Sequence, residues 1–231
     1  MIFSIHQPHY LPWLGYFNKI LNSDLFIILD NVQFVKREYQ NRNKIKTPNG
    51  AKWLTVPVIT KGRYFQKISE VEIDNSKNWR ISHLDLIKQS YKSSPYFNYF
   101  FPKLKKNIEK KYNKLCDLNI NMLKFYLEEL EIDTPIKIES DFEITTVSTN
   151  RIVDLSNKCG INTYYSGIGG KNYMDMDKFK ENNIKVIFQN FKHPTYNQLF
   201  GEFVPYMSVI DLIFNEGKNS REIIKSGERF G

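Results

Sequence analysis

At 231 residues and 27.4 kDa, with 33 basic against 25 acidic side chains and a net charge of +8, the chain is long enough for one sizeable core and short of two full-sized domains. Apolar residues at 41% and aromatics at 15% exclude a disordered chain, and no apolar run approaches the roughly 18 residues of a membrane span. The N-terminus lacks the basic flank, apolar core and small-residue cleavage site of a secretory signal, and Cys116 and Cys159 have no metal-ligand spacing. A cytoplasmic protein with reduced core thiols, no membrane insertion and no bound metal is therefore expected.

Ile2 to Ile5 form a short apolar run suited to a buried strand, which stops at His6-Gln7-Pro8 because proline cannot continue a ladder. Pro12 suits a first helical turn, and Trp13, Leu14, Phe17, Ile20 and Leu21 then recur at helical spacing as far as Asn22-Ser23-Asp24. Leu25 to Leu29 make a second strand closing on Asp30, so the opening reads as a βαβ unit. Pro48-Asn49-Gly50 divides two extended stretches between Ile45 and Leu54, a β-hairpin signal. A strand is predicted around Ile68 to Ile73, then a helix capped by Asn75 or Ser76 and running through Tyr91, then helices near 95–112 and 115–130. The α/β rhythm returns at Thr149, where Ile152, Val153, Leu155 and Cys159 line one face of a helix that Gly160 ends. Thr163 to Ser166 is the next strand, followed by Gly167-Ile168-Gly169-Gly170, a helix through about Asn182 and a strand from Ile184 to Phe188. A last helix starts at Ser208, with Asp211 as capping-box partner, and the tail beyond Gly217 reads as frayed. The pattern predicts a single α/β domain over 1–231, with a Rossmann-like, mainly parallel sheet and an inserted β-hairpin and helical subdomain at approximately 40–145.

In open parallel sheets ligands bind outside the carboxyl ends of the strands, so the residues that follow each strand are the site candidates. His6 and His193 are the candidate general bases, since imidazole titrates near the pH at which an amine or hydroxyl nucleophile must lose a proton. Asp30 either orients a histidine or accepts from a ribose or sugar hydroxyl. His6-x-x-His9 has no helical register and is not taken as a metal pair. Gly167, Gly169 and Gly170, with Ser166 before them and Lys171 after, fit either a phosphate or oxyanion cradle or a plain flexible turn. Three of the seven arginines, Arg37, Arg42 and Arg63, fall within one 27-residue stretch. There Gln33, Arg37, Gln40, Asn41, Arg42 and Lys44 suit a pyrophosphate with sugar hydroxyls, a solvated edge ribbon being the alternative. Gln7, Tyr10 and Gln189 complete the expected substrate-binding set, Tyr10 as a ring able to stack on a base or sugar, although aromatics at such spacings more often fill a core.

Long blocks of this sequence resemble the WbqC-like family: Ile5-His6-Gln7-Pro8-His9-Tyr10-Leu11-Pro12-Trp13-Leu14-Gly15-Tyr16, Asp30-Asn31-Val32-Gln33-Phe34, Gln40-Asn41-Arg42-Asn43, Lys46-Thr47-Pro48-Asn49-Gly50, Tyr165-Ser166-Gly167-Ile168-Gly169-Gly170 and Gly201-Glu202-Phe203-Val204-Pro205. The resemblance implies a bacterial protein of O-antigen or related surface-polysaccharide (lipopolysaccharide) biosynthesis, and it points to steps in which amino sugars receive an acyl or aminoacyl group. The opening strand, loop and helix are also similar to nucleotidylyltransferases with an H-x-G-H signature, but here Trp13-Leu14-Gly15-Tyr16 keeps only the glycine, which puts adenylyl transfer in doubt.

The expected activity is acyl or aminoacyl transfer to an amino group of a nucleotide-linked sugar. His6 or His193 would act as base, backbone N–H groups near Gly167 would face the oxyanion, and Arg37, Arg42 and Lys44 would hold the diphosphate. The donor would be acyl-coenzyme A or a carrier-protein thioester, which leaves a carrier protein or a homo-oligomer as further partners. ATP-dependent nucleotidyl transfer or ligation and a non-catalytic glycan- or partner-binding module are the rival readings. Nucleic acid ranks last, because no recognition motif accompanies the charge and the lysines are spread along the chain.

Overall fold

The computed structural model describes residues 1–227. Strand β1 (Phe3–His6) lies in register with β2 (Leu25–Ile28), from Phe3 opposite Leu25 to His6 opposite Ile28, and helix α1 (Leu14–Leu21) crosses between them. Their parallel pairing follows from the crossover, since a helix of this length returns the chain to the same end of the sheet. Further along are the antiparallel hairpin β3 (Arg42–Thr47) and β4 (Gly50–Thr55), the helices α2 (Trp79–Tyr91), α3 (Phe97–Glu109) and α4 (Leu115–Glu129), and strand β5 (Ile136–Ile138). The remainder is α5 (Ser148–Cys159), β6 (Thr163–Ser166), α6 (Met176–Glu181), β7 (Lys185–Phe188), α7 (Val209–Glu216) and α8 (Ser220–Ser226).

The sheet order is β5-β2-β1-β6-β7 and every pairing is parallel. The order reverses between β1 and β6, which is the position where open α/β sheets form a ligand crevice. The C-terminal ends of β1, β2, β6 and β7 therefore lie along one edge of the sheet. The sheet's two faces follow the period-two alternation of β2: Phe26 and Ile28 pack with α1, the α2–α4 bundle and α7, whereas Leu25 and Ile27 pack with α5 and α6. The result is three layers.

Four local readings change. The stretch from Ile68 is a 3₁₀ turn over Ile68–Glu70 rather than a strand, because Ile68 and Val71 are both buried at a spacing of three and Glu70 accepts the Lys67 N–H. Helix α2 begins at Trp79, not at Asn75, since Asp74 Oδ1 takes both the N–H and the hydroxyl of Ser76 into a tight turn. Strand β5 joins the parallel sheet, so the stretch outside that sheet ends before Ile136 and not near 145. Residues 220–226 form α8, anchored by fully buried Ile224 and by a hydrogen bond from Asn18 Nδ2 to the Ile224 carbonyl, instead of fraying after Gly217, and the part of that expectation over 228–231 lies outside the described residues.

Ser208 caps α7 through its hydroxyl, as expected, but Asp211 does not complete a capping box. Its carboxylate is fully buried and accepts from the hydroxyls of Tyr91 (2.7 Å) and Tyr196 (2.8 Å) and from Gln198 Nε2 (2.8 Å). This network ties α2 and α7 to the segment that carries Tyr196 and Gln198.

Candidate functional site

The crevice at the strand-order reversal is built from β1 and β6 and from the first helix. His6 and Gln7 leave β1, Ser166 leads into the 3₁₀ turn Ile168–Asn172, and Lys19 enters from α1. Together with Gly167, Gly169, Gly170 and Tyr173 they line a cavity of 330 Å³. A second cavity of 300 Å³ continues it toward β7, sharing His6, Lys19, Gly167 and Gly169 and adding Trp13, Tyr16 and Gln189.

Lys19 decides the electrostatics. Its side chain is only 5% exposed, and burial pushes its pKa down to about 8, with no acid among the described residues opposing that shift. Near neutral pH the ammonium is still mostly charged, so the crevice holds a cation that lacks a carboxylate partner among the described residues, a costly arrangement unless an anion comes to it. Gly167 makes room for it: a Cβ there would stand 3.2 Å from Lys19 Nζ. The histidines nearby add no competing charge. Burial and the Lys19 ammonium keep His9 neutral, down to about 3, and burial likewise holds His6 well below its ordinary value. The His6 and His9 rings meet edge to face at 4.6 Å, with Tyr16 packed 4.7 Å from His6. His6 Nδ1 lies 3.1 Å from the Gln7 carbonyl, which can only accept, so Nδ1 carries the proton and Nε2 keeps the free lone pair.

Residues 7–223 match the model of the WbqC-like protein family. The chain belongs to that family. A relative from Mycobacterium tuberculosis (strain ATCC 25618 / H37Rv), the uncharacterized protein Rv1507c, is 34% identical over 224 residues, covering 96% of each chain. No solved structure matches.

Within this WbqC-like chain the residues singled out from the sequence divide into two groups. His6, Gln7, Ser166, Gly167, Gly169, Gly170 and Gln189 meet around the crevice. Gln189 also holds the fold there, donating to the Gly15 carbonyl and to Asn18 Oδ1 at 2.9 Å each. Gln7 accepts from Gln40 Nε2 at 2.7 Å while Gln40 Oε1 takes the Val35 N–H, and Asn41 donates to the Val56 carbonyl, so these amides tie the His6 loop to the hairpin side. Lys171 reaches over the Phe188 ring, 4.8 Å from its centroid.

The others lie elsewhere. Asp30 is buried and its Oδ1 accepts the Ser140 N–H, so it braces the turn after β5 and does not orient a histidine. Tyr10 is a core residue, fully buried and hydrogen-bonded to His83 Nδ1 at 3.0 Å. Gln33 donates to the Tyr64 carbonyl. Arg37 and Arg42 line a separate cavity of 290 Å³, with Arg42 donating to the Arg37 carbonyl. Arg42 and Lys44 also sit over the Trp53 ring at 4.1 and 4.9 Å. His193 stacks on Trp13 at 6.3 Å and donates from Nδ1 to the Pro194 carbonyl, leaving Nε2 buried and outside the lining of the crevice.

Lys19 was missed because it reads as one surface lysine in an apolar helix. A signal was present: its helical neighbours at three and four residues on either side are Tyr16, Gly15, Asn22 and Ser23, none of them acidic. Among the described residues no group of three or more His, Cys, Asp or Glu side chains could hold a metal ion, and no helix is long and apolar enough to cross a membrane.

Proposed function

We propose that this protein binds a nucleotide-linked amino sugar through its diphosphate at the β1/β6 crevice and transfers an acyl or aminoacyl group to the sugar's amine, in the assembly of a surface polysaccharide such as O-antigen. The observation that carries this reading is the buried Lys19 ammonium beside Gly167, without a carboxylate partner among the described residues, at the end of the sheet where phosphates bind in this architecture. Lys19 takes over the role expected of Arg37, Arg42 and Lys44, whose side chains serve the hairpin face.

His6 is the base in this reading, and His193 is not, since only His6 lines the crevice. As the amine nitrogen attacks the carbonyl carbon of a thioester, His6 Nε2 takes the amine proton. The C–S bond then breaks, the sulfur leaves as thiolate, and the imidazolium returns the proton to it, giving an amide and a thiol. Low basicity of His6 keeps it neutral and ready to accept at pH 7.

The test is turnover with an acyl-coenzyme A and a nucleotide-linked amino sugar. His6→Ala is expected to lower kcat by roughly 10²- to 10⁴-fold while leaving sugar-nucleotide affinity within a few-fold. Full turnover in His6→Ala rejects the assignment of the base. Binding of free glycan in preference to the nucleotide-linked sugar, without turnover, would make the protein a binding module instead.

A further inference from the structure

A further cavity, of 470 Å³, opens beside the crevice on the β5-β2-β1 half of the sheet, and Ile5, Leu29 and Tyr173 border both. Its volume lies within the roughly 300–1,000 Å³ of small-molecule pockets. Leu29, Val32 and Ile152 give it apolar walls, while Phe65 and Tyr173, respectively 85% and 66% exposed, stand at its mouth as rings without a covering partner layer. Asn31 and Gln33 add amides to the same lining. Two cations border it: the Arg151 guanidinium, already engaged with the Asn31 and Thr146 carbonyls and with Glu139, and Lys67.

We infer that this chamber is a nucleobase subsite, with Phe65 and Tyr173 as stacking rings and Asn31 and Gln33 facing the polar edge of the base. The inference rests on the diphosphate reading of the Lys19 crevice and extends it. An apolar, ring-rimmed space directly beside an anion site matches a nucleoside diphosphate, whose flat apolar base is joined to its phosphates through one ribose. It also places the linked sugar on the opposite side, in the cavity that holds His6, Trp13 and Gln189. Position in the sheet agrees, because in sheets of this strand order the base occupies the half that contains the second strand. Asp30, the acid that would meet the ribose, is turned into the β5 side, and the amides of Asn31 and Gln33, the latter donating to the Tyr64 carbonyl, border the chamber at that strand end.

Calorimetric titration of the full chain with pyrophosphate, uridine diphosphate, adenosine diphosphate, uridine and octyl phosphate tests this. Base–aromatic stacking is worth about 1–3 kcal/mol, so a nucleoside diphosphate should bind at least about fivefold more tightly than pyrophosphate. The Phe65→Ala variant should remove most of that advantage and leave the pyrophosphate Kd within twofold, and Tyr173→Ala, at the wall shared with the crevice, should weaken uridine binding. Val147→Trp, a substitution at an exposed position of the chamber lining, should do the same by obstruction. Equal affinity for pyrophosphate and both nucleoside diphosphates overturns the inference, as does a larger gain for octyl phosphate, which would make the chamber an acyl site. The crevice reading fails separately: it falls if pyrophosphate does not bind or if Lys19→Met leaves its Kd unchanged, and uridine binding sensitive to the ring variants would then uphold the chamber alone.

Discussion

A buried lysine without a carboxylate is destabilising on its own account, and that cost separates function from stability at Lys19. Its ammonium is favoured in the unfolded chain and opposed in the folded one, so the unfolded state binds the extra proton between the lowered pKa of about 8 and the ordinary 10.5. Stability should consequently rise as pH climbs through that window. Lys19→Met, which keeps the length of the side chain and removes the charge, is expected to raise stability at pH 7 by up to roughly 3 kcal/mol and to abolish pyrophosphate binding, read by denaturant unfolding and by titration. The variant should also lose the rise in stability above pH 8. Anion affinity in the natural protein should be full below pH 8 and weaken above it as Lys19 deprotonates, with the bound anion moving the midpoint upward. A variant that lost stability as well as binding would mean that the ammonium has a protein partner.

At the scale of elements, the hairpin, α2, α7 and the 196–204 segment share one apolar cluster and also meet at one polar junction. Asp211 accepts from Tyr91, Tyr196 and Gln198, and Tyr91 Oη receives in turn the Lys46 N–H of the hairpin. Burial pushes the Asp211 carboxyl up and the three donors pull it back, so the donors are what make a charge tolerable there. Asp211→Ala takes the acceptor from two buried tyrosine hydroxyls, while the Gln198 amide keeps the Val204 carbonyl, and should cost about 2–4 kcal/mol in denaturant unfolding. Tyr91→Phe removes one bond and should cost about 1–3 kcal/mol, because it orphans part of the same carboxylate. A cost below 1 kcal/mol for Asp211→Ala would show that the junction is not what joins these elements. The reading of Asp211 as a capping-box residue failed here for a physical reason. The Ser208 spacing satisfies the local motif, but three donors from other segments outcompete one backbone N–H for the carboxylate.

Across the whole molecule the histidines couple folding to acid. Burial lowers the His83 pKa to about 4, and His6, His9 and His193 are lowered in the same way. Each of these groups binds its proton more readily in the unfolded chain, so the stability it confers is complete above the ordinary value of 6.5 and is lost as pH falls below it. For His83, which is 5% exposed, the loss at pH 5 is about 2 kcal/mol. Melting temperature should therefore begin to fall below about pH 6.5, well before ordinary carboxylates titrate, and His83→Gln should shallow that fall. An unfolding profile flat from pH 7 to 5 would contradict it. The net charge of +8 has a different meaning at this scale: most lysines are dispersed over the surface, and Lys19, the cation proposed to bind the ligand, is one of the least exposed.

Sequence periodicity alone was enough for the βαβ opening, the hairpin at Pro48-Asn49-Gly50, the helical middle and the helix ending at Gly160, because the spacing of apolar residues and a left-handed glycine are local properties of the chain. The polar strand ends at His6, Ser166 and Gln189 were legible for the same reason. Which strands became neighbours was not, and neither was β5, whose three residues carry too little pattern to stand out beside Pro135. Only tertiary structure could turn Lys19 inward beside Gly167, draw Arg42 onto Trp53, commit Asp30 to the Ser140 turn and set an apolar chamber against the crevice. The role of a charged side chain depends on its burial and on partners far away in the chain, and those are fixed by the packing of the whole fold rather than by any window of sequence.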